Sequence, residues 1–424
     1  MIRILLVILT GIVTSLFLFP FNLTFAAGVN TKMVIAAVGL VLFILDMVWK
    51  KSFSISKDFL IFSIVCFLVS IWCFFVITLN NTSDSTFTQY FISAWVWMGG
   101  AYTVVKLIRA VHGKISVKLI GHYLIGVCVA QCILAYLMTI FPPVKLFVDG
   151  LLGSGERFMG PVASRMYGLG AALDPSGIRF AGVLVILAHL MHQTVDTRDK
   201  TVEAFYIVAY IIILVLGNMI SRSTTIGVII SVFYWVYLSL FDTKKLFSSS
   251  FGATASLCIL LSIGLIIFLY QTDSSFRENL RFGFEGFFSL AETGHWETNS
   301  TDILQSMVRW PESLRTWIIG DGYFANPQDI PDIFGQVTLG YYKNTDIGYL
   351  RYIYYFGTIG LLGMIAVFVS ITATCFRVLI KDRYLFLFLL LVNLTGWIKV
   401  ASDIIMVFAP FFVLACLLKK EQVE

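Results

Sequence analysis

Charge is scarce in this chain. Asp, Glu, Lys and Arg make up 13% of 424 residues, against 58% hydrophobic residues and a mean hydropathy of +0.87. A water-soluble fold of this length could not cover that much apolar surface, which leaves the polytopic membrane class. The apolar runs are continuous over about 20 residues rather than alternating, and this excludes a strand barrel. There is no GxxxxGK[ST] phosphate loop, so nucleotide hydrolysis is not the energy source. The chain also lacks HExxH and any Asp-x-Asp pair, which argues against zinc proteases and nucleotide-sugar transferases. The seven cysteines (Cys66, Cys73, Cys128, Cys132, Cys258, Cys375, Cys416) all lie in or beside apolar segments, which argues against a disulfide framework or a metal cluster in the loops. Cys128 and Cys132 share a helix face and read as small packing residues. The net charge of +5 is modest, and no nucleic-acid partner is implied.

What is present is a series of apolar segments, expected near 4–26, 30–49, 58–79, 87–110, 116–140, 176–194, 203–220, 223–241, 252–270, 347–375, 384–399 and 402–418. They predict an all-α membrane bundle of about twelve transmembrane helices, forming one domain over 1–424. The first segment, up to Ala27, reads as an uncleaved helix rather than a signal peptide, because its apolar stretch is long and another span follows at once. Lys50, Lys51 and Lys57, then Lys106, Arg109, Lys114 and Lys118, then Arg198 and Lys200, Lys244 and Lys245, Arg377, Lys381 and Arg383, and finally Lys419 and Lys420 all fall on one side if both termini are cytoplasmic. That is the positive-inside pattern. The opposite face receives two long connections, 141–175 and 271–346. The longer one mixes charges with Phe282, Phe284, Phe287, Trp296, Trp310, Trp317 and Tyr323, a composition expected of a folded cap of short amphipathic helices.

The outer side is poor in lysine but carries individually placed arginines. Arg157, Arg165 and Arg179 surround the first long loop. Arg222 sits in a tight hairpin with Ser221, Ser223, Thr224 and Thr225. Arg277, Arg281, Arg309, Arg315 and Arg351 populate the second loop and its exit. A guanidinium is planar, permanently charged and matched to two phosphate oxygens at once. Holding one at mid-membrane depth costs about 2.5–3.5 kcal/mol, and less near the interface. Each arginine therefore has two readings, a snorkelling anchor or an anion ligand, and the short hairpin with extra hydroxyl donors favours the second for Arg222. Arg157 precedes Gly168 and Arg309 precedes Gly320 at the same spacing. Chance accounts for a pair at that spacing, but both fall in the long outer loops. Among acids and bases on this side, Asp346, His295 and Asp174 are the candidates for proton transfer. Asp346 stands at the start of a span, where desolvation would raise its pKa, or where it would serve as a helix cap. His295 is the one histidine of five placed on the outer face.

With these motifs in order along its full length, the chain resembles the Wzy-type O-antigen and capsular polysaccharide polymerases. The resemblance rests on the two Arg–Gly spacings, on Arg165-Met166-Tyr167-Gly168 leading to Asp174-Pro175-Ser176, and on Ser221-Arg222-Ser223. It rests further on Gly320-Asp321-Gly322 and on Thr345-Asp346-Ile347-Gly348-Tyr349-Leu350 followed by Tyr355-Phe356-Gly357-Thr358-Ile359-Gly360. The resemblance implies a GT-C-like membrane glycosyltransferase of the cell inner membrane, active on its periplasmic face. It implies transfer of a glycan from undecaprenyl diphosphate onto a lipid-linked repeat unit of an O-antigen or capsule. No cofactor is implied, since the donor bond stores the free energy. Partners would be the lipid-linked units, with a chain-length regulator and a flippase in the same membrane. Arg222 and Arg165, completed by Arg309 and joined by Arg157 and Arg179, are expected to hold the diphosphate. Related O-antigen ligases carry His-Asn where this chain has Asp346, which favours polymerase over ligase. A flippase of lipid-linked sugars is the remaining alternative; it would line its cavity with charges at mid-span, whereas here they concentrate at helix ends.

Overall fold

The computed structural model describes residues 2–23, 29–50, 55–152, 165–194, 199–241, 249–327 and 340–421. Among them the chain is helical, with isolated bridges but no strand. The helices are α1 (Ile2–Leu18), α2 (Thr31–Lys50), α3 (Lys57–Asn80), α4 (Tyr90–His112), α5 (Val117–Ile140), α6 (Pro142–Leu151), α7 (Leu173–Thr194), α8 (Lys200–Ile220) and α9 (Thr224–Phe241). They continue as α10 (Ser249–Thr272), α11 (Ser274–Gly283), α12 (Glu285–Thr293), α13 (Asn299–Ser306), α14 (Leu314–Ile318), α15 (Gly348–Val378), α16 (Arg383–Gly396) and α17 (Ile405–Glu421). Eight described helices, α2, α3, α4, α5, α7, α8, α10 and α15, are long and apolar enough to cross a membrane. The protein is thus a multi-pass helical membrane protein. Helices α1, α9 and α17 are apolar but shorter, and α16 has 14 residues.

The first helix ends at Leu18, before the expected 26. Pro20 cannot continue it, and the chain instead turns back, with Leu23 N–H donating to the Val29 carbonyl (3.0 Å) and Thr31 Oγ1 bonding the Leu16 carbonyl (2.9 Å). Within the bundle α7 is the central element: 78% of its apolar window is buried, against none for the peripheral α10. It packs on α5, α8, α9 and α16. Two of its neighbours bring two turns together over its N-terminal end: the α8–α9 hairpin, and the turn from α16 into α17.

Between α10 and α15 the described residues form a 3-10 turn at Tyr342–Asn344 and four short α-helices, α11 to α14. Three are opened by side-chain caps: Asp273 to the amides of Ser275 and Phe276, Thr298 to Thr301, and Ser313 to Thr316. Each such cap is worth about 1 kcal/mol, which matters for helices too short to stand alone. The end of α14 wedges into a break in α15. Gly357 there has φ 68° and ψ −174°, open only to glycine. The carbonyls around the break are answered from outside: Asp321 N–H donates to Tyr354 (2.6 Å), Gly322 N–H to Tyr355 (3.0 Å) and the Trp72 indole to Phe356 (2.8 Å). A buried helix break is tolerated when its polar groups are re-satisfied in this way.

Candidate active site

The turns that converge over α7 enclose a cleft of about 540 Å³. Its lining brings four cationic side chains (Arg165, Arg222, Arg351, Lys399) together with two carboxylates, Asp174 and Asp346. Phe282, Tyr341 and the apolar side chains Ile303, Leu304 and Met307 of the cap complete it.

Asp174 lies in the first turn of α7, after Leu173, which takes φ 56°, an uncommon conformation for a side-chain-bearing residue. Gly177, one turn on, lets the α8–α9 hairpin close in: a Cβ there would stand 2.5 Å from Ser221 Oγ. In consequence Asp174 Oδ1 accepts from Ser221 Oγ (2.8 Å), from Ser223 Oγ and from Lys399 Nζ (2.9 Å), and Lys399 also reaches Ser223 Oγ (3.0 Å). Lys399 is presented by a turn whose far end is pinned by buried Asn393, Oδ1 of which accepts from Ile404 N–H (3.1 Å). A carboxylate with three donors on one oxygen is an organiser of its surroundings, ill placed to take up a further proton on that atom.

Arg222 projects from the hairpin that Ser221 closes by accepting from Thr224 N–H (3.1 Å). Its guanidinium lies 4.3 Å from the centroid of Phe282, and that of Arg165 lies 4.9 Å from the same ring. Phe282 thus attracts both guanidiniums through its ring quadrupole. Arg222 Nη1 also pairs with Glu285 Oε2 of α12, whose other oxygen accepts from Asn299 N–H (3.4 Å) at the start of α13. A carboxylate of the cap therefore occupies one arginine of the cleft.

Asp346 does not cap α15; the N-cap is Ile347. Its Oδ1 accepts from Arg351 Nη1 at 3.3 Å. Burial drives its pKa up to about 6, offset in part by the positive charge of Arg351 and reinforced by the negative charge of Asp174. Burial likewise raises the Tyr341 hydroxyl, with Asp346 adding to the effect.

The structure thus unites Arg165, Arg222, Asp174 and Asp346, which the sequence singles out, in one cleft. Arg179, farther along α7, is not in its lining; its guanidinium lies 5.9 Å from the ring of Phe19. Arg309 is exposed between α13 and α14, where its carbonyl accepts from the Tyr354 hydroxyl (3.1 Å). His295 is exposed after α12 and bonds through its backbone, its carbonyl accepting from Ser289 Oγ at 2.7 Å. Arg157 lies outside the described residues. Sequence reasoning left out Arg351, Lys399, Phe282 and Tyr341 as cleft residues, and Glu285 as the partner of Arg222. For Lys399 the available signal was a lysine on the side where lysines are few. For Arg351 it was an arginine one turn inside an otherwise apolar span. Comparison of the chain with protein-family models, curated proteins and solved structures finds no match.

Proposed function

We propose that this protein is a polysaccharide polymerase of the cell inner membrane, crossing it twelve times with both termini cytoplasmic. In this reading it transfers a growing glycan from undecaprenyl diphosphate to a hydroxyl of a lipid-linked repeat unit on the periplasmic side. The observation that carries the reading is the cleft itself, in which four cations face a carboxylate poised near neutrality. Glycosyl transfer from a lipid diphosphate needs those two things. The acceptor oxygen attacks the anomeric carbon, the bond from that carbon to the diphosphate oxygen breaks, and the lipid diphosphate leaves with the electron pair. Arg222, Arg165 and Lys399 would stabilise the charge that gathers on it, while Asp346 would take the acceptor's proton.

Twelve crossings fit the shorter helices as well. A helix of 17 residues reaches about 26 Å and the 14-residue α16 about 21 Å; the remainder is covered by the turn that follows α16, by local thinning and by snorkelling side chains. A GT-C-like arrangement, a chain-length regulator and a flippase belong to the same proposal. The Asp at position 346, where O-antigen ligases carry His-Asn, favours a polymerase over a ligase.

A surface-glycan gel tests the reading. In a strain lacking the gene, the ladder should collapse to a single attached repeat; wild type should restore it and Arg222→Ala should not, at equal protein level in the membrane. Loss of all attached glycan with long lipid-linked chains still present would identify a ligase. An unchanged ladder would remove the polymerase.

A further inference from the structure

Asp346 is held by an assembly more elaborate than an ion pair requires. Arg351, in the first turn of α15, is 8% exposed. Its guanidinium carbon lies 3.7 Å from the centroid of Phe324 and 4.3 Å from that of Tyr341. One terminal nitrogen donates to Asp346 (3.3 Å), the other to the Phe324 carbonyl (3.3 Å), and its buried Nε has no partner among the described residues. The Tyr341 ring, against which Arg351 lies, belongs to the same cleft wall, and its hydroxyl favours the ionised form of the Asp346 carboxyl. Phe324 is itself fixed: Asp84 Oδ2, from the α3–α4 connection, accepts from the amides of Phe324 (2.8 Å) and Ala325 (3.2 Å). A strut therefore runs from the outer turn after α3, through a backbone clamp and an aromatic ring, to the one arginine that touches Asp346.

We propose that Arg351 and Tyr341 are positioning residues which hold Asp346 in the cleft as the base that takes the acceptor hydroxyl's proton. The proposal rests on the polymerase reading and assigns roles within its site. The physical argument turns on how weak the pair is. A close opposite charge lowers a carboxyl pKa by about 1–3 units, which would leave Asp346 ionised but too weak a base. A buried carboxyl with no cation would stay protonated and could accept nothing. Here the contact is single and long, and the guanidinium is shared among two rings, a carbonyl and the carboxylate, so burial outweighs it and the group settles at about 6. The other charged groups facing this point are Asp174 of α7, which pushes the carboxyl further up, and, in the shared lining, Lys399 after α16, Arg222 of the hairpin and Arg165.

The test is a pH–rate profile of chain elongation in proteoliposomes, fed with lipid-linked repeat units extracted from a strain lacking the gene. Wild-type elongation should fall on the acid side with a midpoint near 6, because the carboxylate must be ionised to act. Arg351→Gln removes a charge that favours the carboxylate, so its acid limb should move up by about one pH unit. Tyr341→Phe removes a hydroxyl that favours the carboxylate and should move the limb the same way by about half a unit. Tyr341→Phe is the safer variant, since Tyr341 is 40% exposed and its ring is retained. KM for the lipid-linked units should change less than the rate at pH 6 does, in contrast to Arg222→Ala. A folded Tyr341→Phe with an unmoved acid limb, alongside an inactive Asp346→Asn, would overturn the positioning roles while leaving the base in place. Near-normal elongation by Asp346→Asn would overturn the base and these roles with it. Failure of wild type to elongate these units would remove the polymerase reading and this proposal together.

Discussion

Lys399 shows how a single residue changes meaning between sequence and structure. In the sequence it closes an apolar segment, where a lysine usually snorkels. In the structure its ammonium stands between Asp174 and Ser223 at 2.9 and 3.0 Å, on the wall of the cleft. Lys399→Met keeps the stem and removes the charge. If the ammonium stabilises a departing diphosphate, elongation should fall about 100-fold, the usual cost of losing one donor to developing charge, with the thermal midpoint changed little because Asp174 keeps its two serine partners. A loss of thermal stability with elongation per folded molecule intact would make the pair structural. Asp346 was legible from its sequence position, since an acid at the start of a span is either a cap or a desolvated carboxyl, and both readings are local. Lys399 and Arg351 were not legible as site residues, because their partners, Asp174 and Phe324, are distant in the chain and only packing brings them near.

At the scale of elements, the break in α15 and the wedge that fills it explain part of what the sequence pattern hinted at. Gly320, the second residue of one Arg–Gly spacing, has φ 89°, and a Cβ there would meet the backbone of Tyr355, Phe356 and Gly357 at 2.7 Å. Its carbonyl accepts from Asn80 Nδ2 (3.1 Å), and Asn80 Oδ1 accepts from Arg315 Nη2 (2.9 Å). The glycine is therefore required by close backbone approach, while Arg309 stands apart from the cleft; the spacing marks where the cap is stapled to the bundle. Gly357→Ala tests this. Its Cβ would fall 2.1 Å from the Ile318 carbonyl oxygen, and its backbone conformation is one that only glycine adopts easily. The variant should lose about 3 kcal/mol or more of stability, read as a thermal midpoint several degrees lower in detergent. A midpoint equal to wild type would mean that the wedge is not held by this contact. Apolar periodicity made the long helices legible in the sequence. It could not reveal the break, because Phe-Gly-Thr-Ile-Gly is as apolar as the helix around it and the conformation is imposed by the wedge from another part of the chain.

At the scale of the whole molecule, charge is sorted to two ends. One end carries the cleft and the cap. Toward the other, buried Asp58 of α3 is tied to Arg377 of α15 (3.1 Å) and Lys419 of α17 (2.6 Å), and His189 of α7 meets Asp382 (2.8 Å). These ties join helices far apart in sequence, so basic residues of the loops serve as staples of the bundle. The cleft has no such compact signature. Its lining draws on residues between 165 and 402, and what unites them is the burial of α7 against both turns, a tertiary fact that hydropathy does not encode. The sorting makes a sided prediction. In a cysteine-free background, His295→Cys on the exposed cap should be labelled by a membrane-impermeant maleimide in intact spheroplasts. Lys114→Cys, in the α4–α5 turn, and Lys381→Cys, before α16, should be labelled only after permeabilisation. The reverse pattern would put the cleft on the cytoplasmic side, where glycan units are assembled rather than polymerised in the proposed scheme, and would exclude the polymerase reading. Labelling of all three in intact cells would mean that the two ends of the bundle do not face opposite sides of a membrane.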